Sequence, residues 1–116
     1  MSDTADPSIG PEDQKLITLA RASRARNGAP EGAAVRDETG RTYVATTVAL
    51  PSLRLSALRA AVAAAVSGGA ESLEAAAVVT EAEQPADEDM AVAGDLKAAS
   101  VVLAAPDGTP AAVRHL

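Results

Sequence analysis

Few residues in this chain have the chemistry to act on another molecule. The sequence contains no cysteine and a single histidine, His115, one residue from its end. Without thiols there is neither a disulfide nor a thiolate metal ligand. One imidazole holds a metal only with several other ligands beside it, so His115 reads as a frayed surface residue. The run Asp87-Glu88-Asp89 offers oxygen ligands that would suit a hard cation. Three successive carboxylates do not share one face of a helix, however. They suit a helix N-terminus, where the dipole favours negative charge. Glu81, Glu83 and Asp95 read as solvated surface. Ser56 carries a hydroxyl but has no base near it in sequence, and the G-x-S-x-G nucleophile pattern is absent. Gly68-Gly69 lacks the Lys and Ser/Thr that complete a phosphate loop. Arg59 has two readings. It bonds a carbonyl or carboxylate as a structural residue, or it is the polar group of a pocket that holds an anion.

The elements that must position these residues are read from periodicity and turn chemistry. Pro11-Glu12-Asp13 is a helix opening, with Pro in the first turn and acids at the positive end of the dipole. Leu16, Ile17, Leu19, Ala20 and Ser23 follow at helical spacing, and Asn27-Gly28 stops the run. This predicts a helix over residues 12–26. Strands are expected over 32–37 and 41–48, joined at Asp37-Glu38-Thr39-Gly40 with Gly at a positive-φ position. The second of these is apolar on both sides of its alternation, so it should be covered on both faces. Pro51-Ser52 then opens a helix over 52–67 with Ser52 as its cap. That helix is apolar almost all round, as a central helix would be. Gly68-Gly69 closes it. A buried strand over 73–80, a helix over 86–98, and strands over 100–105 and 110–114 complete the order. Pro106-Asp107-Gly108-Thr109 makes the last turn. Residues 1–10 are expected to be disordered, and residues 11–116 to form one domain. The fold class is α/β with a mixed sheet, because a hairpin precedes a helical crossover.

Composition narrows the function classes. The chain has 116 residues, a net charge of −6, no Phe or Trp and one Tyr, Tyr43. Its core must be built mainly from Ala and Val. Burial yields roughly 25 cal/mol per Å² of apolar surface, and small side chains bury little area each. Close backbone approach and oligomerisation are therefore favoured over large anchors. The acidic charge excludes a generic nucleic-acid binder, which needs basic surface against phosphates. No apolar run reaches the ~20 residues of a membrane helix, and the polar start lacks signal-peptide features. The expectation is a cytoplasmic protein.

Residues 32–80 carry a resemblance. GAAV, the ETGR turn, SALRAAVAAAVSGG and EAAAVV occur in the order and spacing of the cytidine deaminase family. The resemblance implies a five-stranded mixed sheet flanked by helices. In that family a zinc ion, held by three His or Cys ligands, activates water, and a Glu shuttles protons. These residues appear as C-A-E-R at the start of the central helix and P-C-x-x-C at the start of the next. Counting back from Ala65-Val66-Ser67-Gly68-Gly69 sets Ser56-Ala57-Leu58-Arg59 on C-A-E-R. Ser56 then stands for the first ligand, Leu58 for the catalytic Glu, and Arg59 is retained. The second motif should fall between Pro85 and Ala93, where there is no Cys or His. The N-x-E that holds the ribose hydroxyls corresponds to Thr47-Val48-Ala49.

The expectation is therefore a degenerate member of that family, with no catalytic residues, no metal and no cofactor. Thr47 and Arg59 would line a vestigial ligand pocket. The chain would act as an oligomeric binding, regulatory or scaffold subunit, a dimer or tetramer by analogy with the family, with another protein as a possible partner. The alternative is a cytidine or nucleoside deaminase-type hydrolase with a non-standard or partner-completed site.

Overall fold

The computed structural model describes residues 9–116. The disorder expected for residues 1–10 falls outside these residues except at Ile9 and Gly10. Ile9 packs against the core and Gly10 caps the first helix.

Helix α1 spans Pro11–Asn27, with Pro at its start and Glu12 and Asp13 in its first turn. Gly28, in the left-handed region, ends it. Strands β1 (Gly32–Asp37) and β2 (Thr42–Thr46) form the expected antiparallel hairpin. Strand β5 (Leu73–Val79) pairs antiparallel with β1 on its other side. β6 (Ser100–Ala104) runs parallel to β5, and β7 (Pro110–His115) runs antiparallel to β6. The five-stranded sheet has the order β2-β1-β5-β6-β7, mixed as expected. β2 is an edge strand with no fully buried residue, which corrects the reading that both its faces are covered. The doubly covered strands are β1, β5 and β6.

The segment after β2 departs furthest from expectation. Residues 41–48 do not form one strand, because β2 ends at Thr46. The Thr47 amide turns to the Glu31 carbonyl (3.3 Å), and the Glu31 amide to the Thr47 hydroxyl (3.2 Å). Nor does a helix fill 52–67. Val48–Leu50 (β3) and Leu53–Leu55 (β4) form a separate two-stranded sheet, and helix α2 spans Ala57–Ser67. Leu50 pairs with Leu53, so Pro51-Ser52 is a two-residue loop. Pro51 biases Leu50 toward extended backbone, and Leu53-Arg54-Leu55 alternates as a strand does. The cap of α2 is thus Ser56, not Ser52.

Helix α3 spans Asp87–Asp95, shorter than the expected 86–98. It stops because Lys97 takes a left-handed φ of 58° and the Ala98 amide bonds back to the Ala93 carbonyl. That is a Schellman closure. The carbonyl of Leu96 then accepts from the Leu73 amide, which fastens the helix end to the start of β5.

Period-2 alternation divides the core between the two sheet faces. Ala33, Val35, Ala76, Val78, Val101 and Leu103 face α2 and α3. Ala34, Ala75, Ala77, Val79, Val102 and Ala104 face α1 with Leu16, Ile17 and Ala20. The result is three layers, α1, sheet, then α2 with α3. Small residues allow close approach. A Cβ on Gly32 would stand 2.1 Å from the Ala20 carbonyl oxygen, so only glycine lets α1 lie this near β1.

Candidate functional site

Sheet register defines two opposite edges. Gly32, Thr46, Val79 and Ala104 share one of them. Asp37, Thr42, Leu73, Ser100 and His115 mark the other. The loop after β5 starts from the first edge, and α3 ends at the second, beside Leu73. Helix α3 therefore begins at the first edge. The N-terminus of α2 meets it there, through the side chains of Ser56 and Asp89.

Ser56 has two bonds. Its Oγ accepts from the Arg59 amide at 3.2 Å, the N-cap interaction. The same hydroxyl donates to Asp89 Oδ1 at 2.6 Å. Asp89 is the third residue of α3 and only 4% exposed. Its burial raises its pKa. Ser56 opposes that rise by bonding the carboxylate, Glu88 adds to it by repulsion, and Arg59 opposes it by attraction. Arg59 Nη1 lies 3.8 Å from Glu88 Oε2, across the same junction. Leu58 is fully buried in the core cluster beneath.

Thr47 lies in a different neighbourhood. It lines a groove of about 400 Å³ with Arg24, Pro30, Glu31, Thr80 and Glu81. Thr80 Oγ1 donates to Glu31 Oε2 at 3.0 Å, and Arg24 Nε donates to the Pro30 carbonyl at 3.0 Å. Arg24 also faces Glu81 at 3.7 Å. Thr47 and Arg59 thus have separate partners: Thr47 bonds Glu31 and Arg59 faces Glu88. Ser56, Arg59, Glu88 and Asp89 do come together. His115 pairs with Ser100 at the opposite edge, away from both.

The sequence groups Asp89 with its neighbours as helix-terminus charge; the structure buries it. A signal was present. Asp89 and Ala93 are four apart and lie on one helix face, and Ala93 is fully buried. Glu31 and Thr80 are 49 residues apart, and no local pattern joins them. A zinc site of the kind implied by the resemblance needs three convergent His or Cys ligands. The donors gathered at the α2–α3 junction are one hydroxyl and two neighbouring carboxylates, one of them facing Arg59. Among the described residues no cluster of three or more His, Cys, Asp or Glu side chains is arranged to hold a metal ion. This donor set does not fit the group.

A three-layer α/β domain with two helix N-termini meeting at one edge of a β2-β1-β5-β6-β7 sheet defines a deaminase-like architecture. The cytidine deaminase-like family model matches residues 9–108, and the chain belongs to that family. Solved structures agree. Cytidine deaminase from Burkholderia pseudomallei superposes with a TM-score of 0.74 at 26% identity, covering 87% of this chain and 90% of that one. Cytidine deaminase from Mycobacterium tuberculosis gives 0.64 at 25% identity, covering 84% and 87%. The Mycobacterium leprae enzyme gives 0.69 at 20% identity over 92% and 94%, a likeness of fold. No curated protein matches the sequence. Among the described residues no helix is long and apolar enough to cross a membrane.

Proposed function

We propose that this chain is a non-catalytic member of its family, acting as an oligomeric binding, regulatory or scaffold subunit. The observation that supports this is the Ser56–Asp89 hydrogen bond, with Leu58 buried beside it. On the alignment by resemblance, Ser56 and Leu58 stand where a metal ligand and a proton shuttle belong. A hydrocarbon side chain cannot move a proton, and the Ser56 hydroxyl is already engaged on both sides. Thr47, in its groove, and Arg59 are the groups left for a ligand. Leu50 and Leu53, paired across the β3–β4 loop and both about half exposed, support a homo-oligomer, since adjacent large apolar side chains in water favour an interface. The acidic, cysteine-free composition supports a cytoplasmic role.

A second reading is a cytidine or nucleoside deaminase-type hydrolase with a non-standard or partner-completed site. Kinship supports it more directly than it supports a silent role, because the solved structures named above are all cytidine deaminases. One experiment separates the two. The protein is purified without a metal-chelating tag, its zinc is measured by elemental analysis, and turnover of cytidine and deoxycytidine is assayed. Metal-free, inactive protein is expected. Stoichiometric zinc with turnover establishes the second reading instead. Light scattering at micromolar concentration tests the oligomer, and a mass near the chain's own 11.6 kDa would count against it.

A further inference from the structure

The junction between α2 and α3 is apolar apart from two contacts. Leu58, Ala61, Met90 and Ala93 belong to one core cluster there. Among the described residues, the Ser56–Asp89 bond and the Arg59–Glu88 pair are the only polar side-chain links between α2, with its cap, and α3. The second link is weak. Its guanidinium and carboxylate lie 3.8 Å apart with 38% and 73% exposure, where ion pairs contribute little. The first is short, directional and part-buried, with Asp89 only 4% exposed. Part of this contact is small, with Ala61 and Ala93 fully buried alongside Leu58 and Met90, and small side chains constrain a helix's offset less than large ones do. Apolar packing alone therefore specifies helix register poorly, and a single buried polar contact is the best attested way to fix it.

We infer that the Ser56–Asp89 hydrogen bond is a register pin that ties the N-termini of α2 and α3 at the site edge without a metal. Only the words "without a metal" rest on the reading of function above. The pin itself stands on the geometry. The bond chain runs from the Arg59 amide to the Ser56 hydroxyl and on to the Asp89 carboxylate. One side chain thus closes the first turn of α2 and holds the first turn of α3.

A swap of bond polarity tests the pin while keeping the cap of α2. Ser56→Asp retains an oxygen for the Arg59 amide, since Asp caps as well as Ser. It removes the donor hydroxyl and sets two carboxylates together. The expected loss is roughly 10- to 100-fold in the folding equilibrium constant, read by urea unfolding at pH 7. Adding Asp89→Asn supplies a donor amide facing the new carboxylate. The double variant is expected to regain most of that loss, and Asp89→Asn alone to unfold near wild type. Additive effects, with the double variant no better than Ser56→Asp corrected for Asp89→Asn, would overturn the pin. If Ser56→Asp does not fold, folding of the double variant still supports the pin, and failure of both overturns it. Wild-type unfolding is measured in parallel with chelator and with excess zinc. Equal midpoints support the metal-free tie. A midpoint raised by one tightly bound zinc per chain sinks the metal-free reading, whatever the swap shows.

Discussion

Two aspartates, one at each edge of the sheet, are buried to nearly the same degree and live in opposite chemistry. Asp37, 2% exposed, closes the β1–β2 turn. Its Oδ1 accepts from the Thr39 amide (2.9 Å), the Thr39 hydroxyl (2.7 Å) and the Arg41 amide (3.0 Å). Its Oδ2 accepts from the Tyr43 hydroxyl at 3.4 Å. These donors, led by the Thr39 hydroxyl, hold its pKa below the ordinary value even though burial pushes the other way. Asp89, 4% exposed, accepts one side-chain hydrogen bond, from Ser56, and burial wins. Burial alone therefore does not mark a site. The number of donors converging on the buried group separates a carboxylate that builds a turn from one held short of full solvation. Perturbed groups of the second kind are the ones that concentrate at functional sites.

The largest expected effect breaks the saturated side. Asp37→Ala removes the acceptor of three hydrogen bonds inside the turn and leaves their donors without a protein partner. The loss in unfolding midpoint should exceed that of any single change at Asp89, and Thr39→Ala should lose only part of it. If Asp37→Ala were harmless, donor count would not be what distinguishes the edges. Ser56→Ala comes next. It deletes the cap of α2 and the one side-chain donor to Asp89, a loss of about 2 kcal/mol in denaturant unfolding.

The pH dependence of stability sharpens the contrast, because the two groups act with opposite sign. The pKa of Asp37 is depressed from 3.8. Its contribution is present above that value and is lost as pH falls through the folded pKa. The pKa of Asp89 is raised from 3.8, with Glu88 and Arg59 the charged groups facing it. Its contribution is fully present below 3.8 and is lost as pH rises through the folded pKa. Urea unfolding from pH 3 to pH 7 is the measurement. Asp37→Asn should remove part of the gain in stability on leaving acid. Asp89→Asn should remove a decline that partly masks that gain. Slopes that change in the same direction in both variants would contradict the assignment.

Most of the frame was legible in the sequence because its signals are local. Pro11 with acids after it, Asn27-Gly28, the Asp37–Gly40 turn and Gly68-Gly69 each fix a boundary through backbone chemistry within a few residues. The stretch between β2 and α2 was not legible, because Ser52 and Ser56 are equally good caps and each precedes an apolar run. What decides is the pairing of Leu50 with Leu53, which needs the chain folded back on itself. The site divides in the same way. Ser56, Leu58 and Arg59 stand out in the sequence because they sit at a counted distance from Gly69. Asp89 does not, because its partner is 33 residues away. Three acids in a row look alike until one of them turns inward.

The smallest expected effect is the most pointed. Asp89→Asn keeps an oxygen for the Ser56 hydroxyl and removes a charge that burial disfavours. If Asp89 were a simple structural anchor like Asp37, losing its charge would cost stability at pH 7, since charged acceptors make the stronger hydrogen bonds. Because one donor faces it instead of four, desolvation outweighs that gain. The substitution should therefore leave the protein as stable or stabilise it, by up to about 1 kcal/mol, discounted for the part of the group that still reaches solvent. The same change at Asp37 should destabilise, because a neutral amide oxygen accepts more weakly than the carboxylate from the three donors gathered on Oδ1. Opposite signs for one chemical substitution at two equally buried aspartates, read in a single set of urea titrations, are the direct test of donor count. Equal signs would mean that the two edges differ in sequence and not in electrostatics.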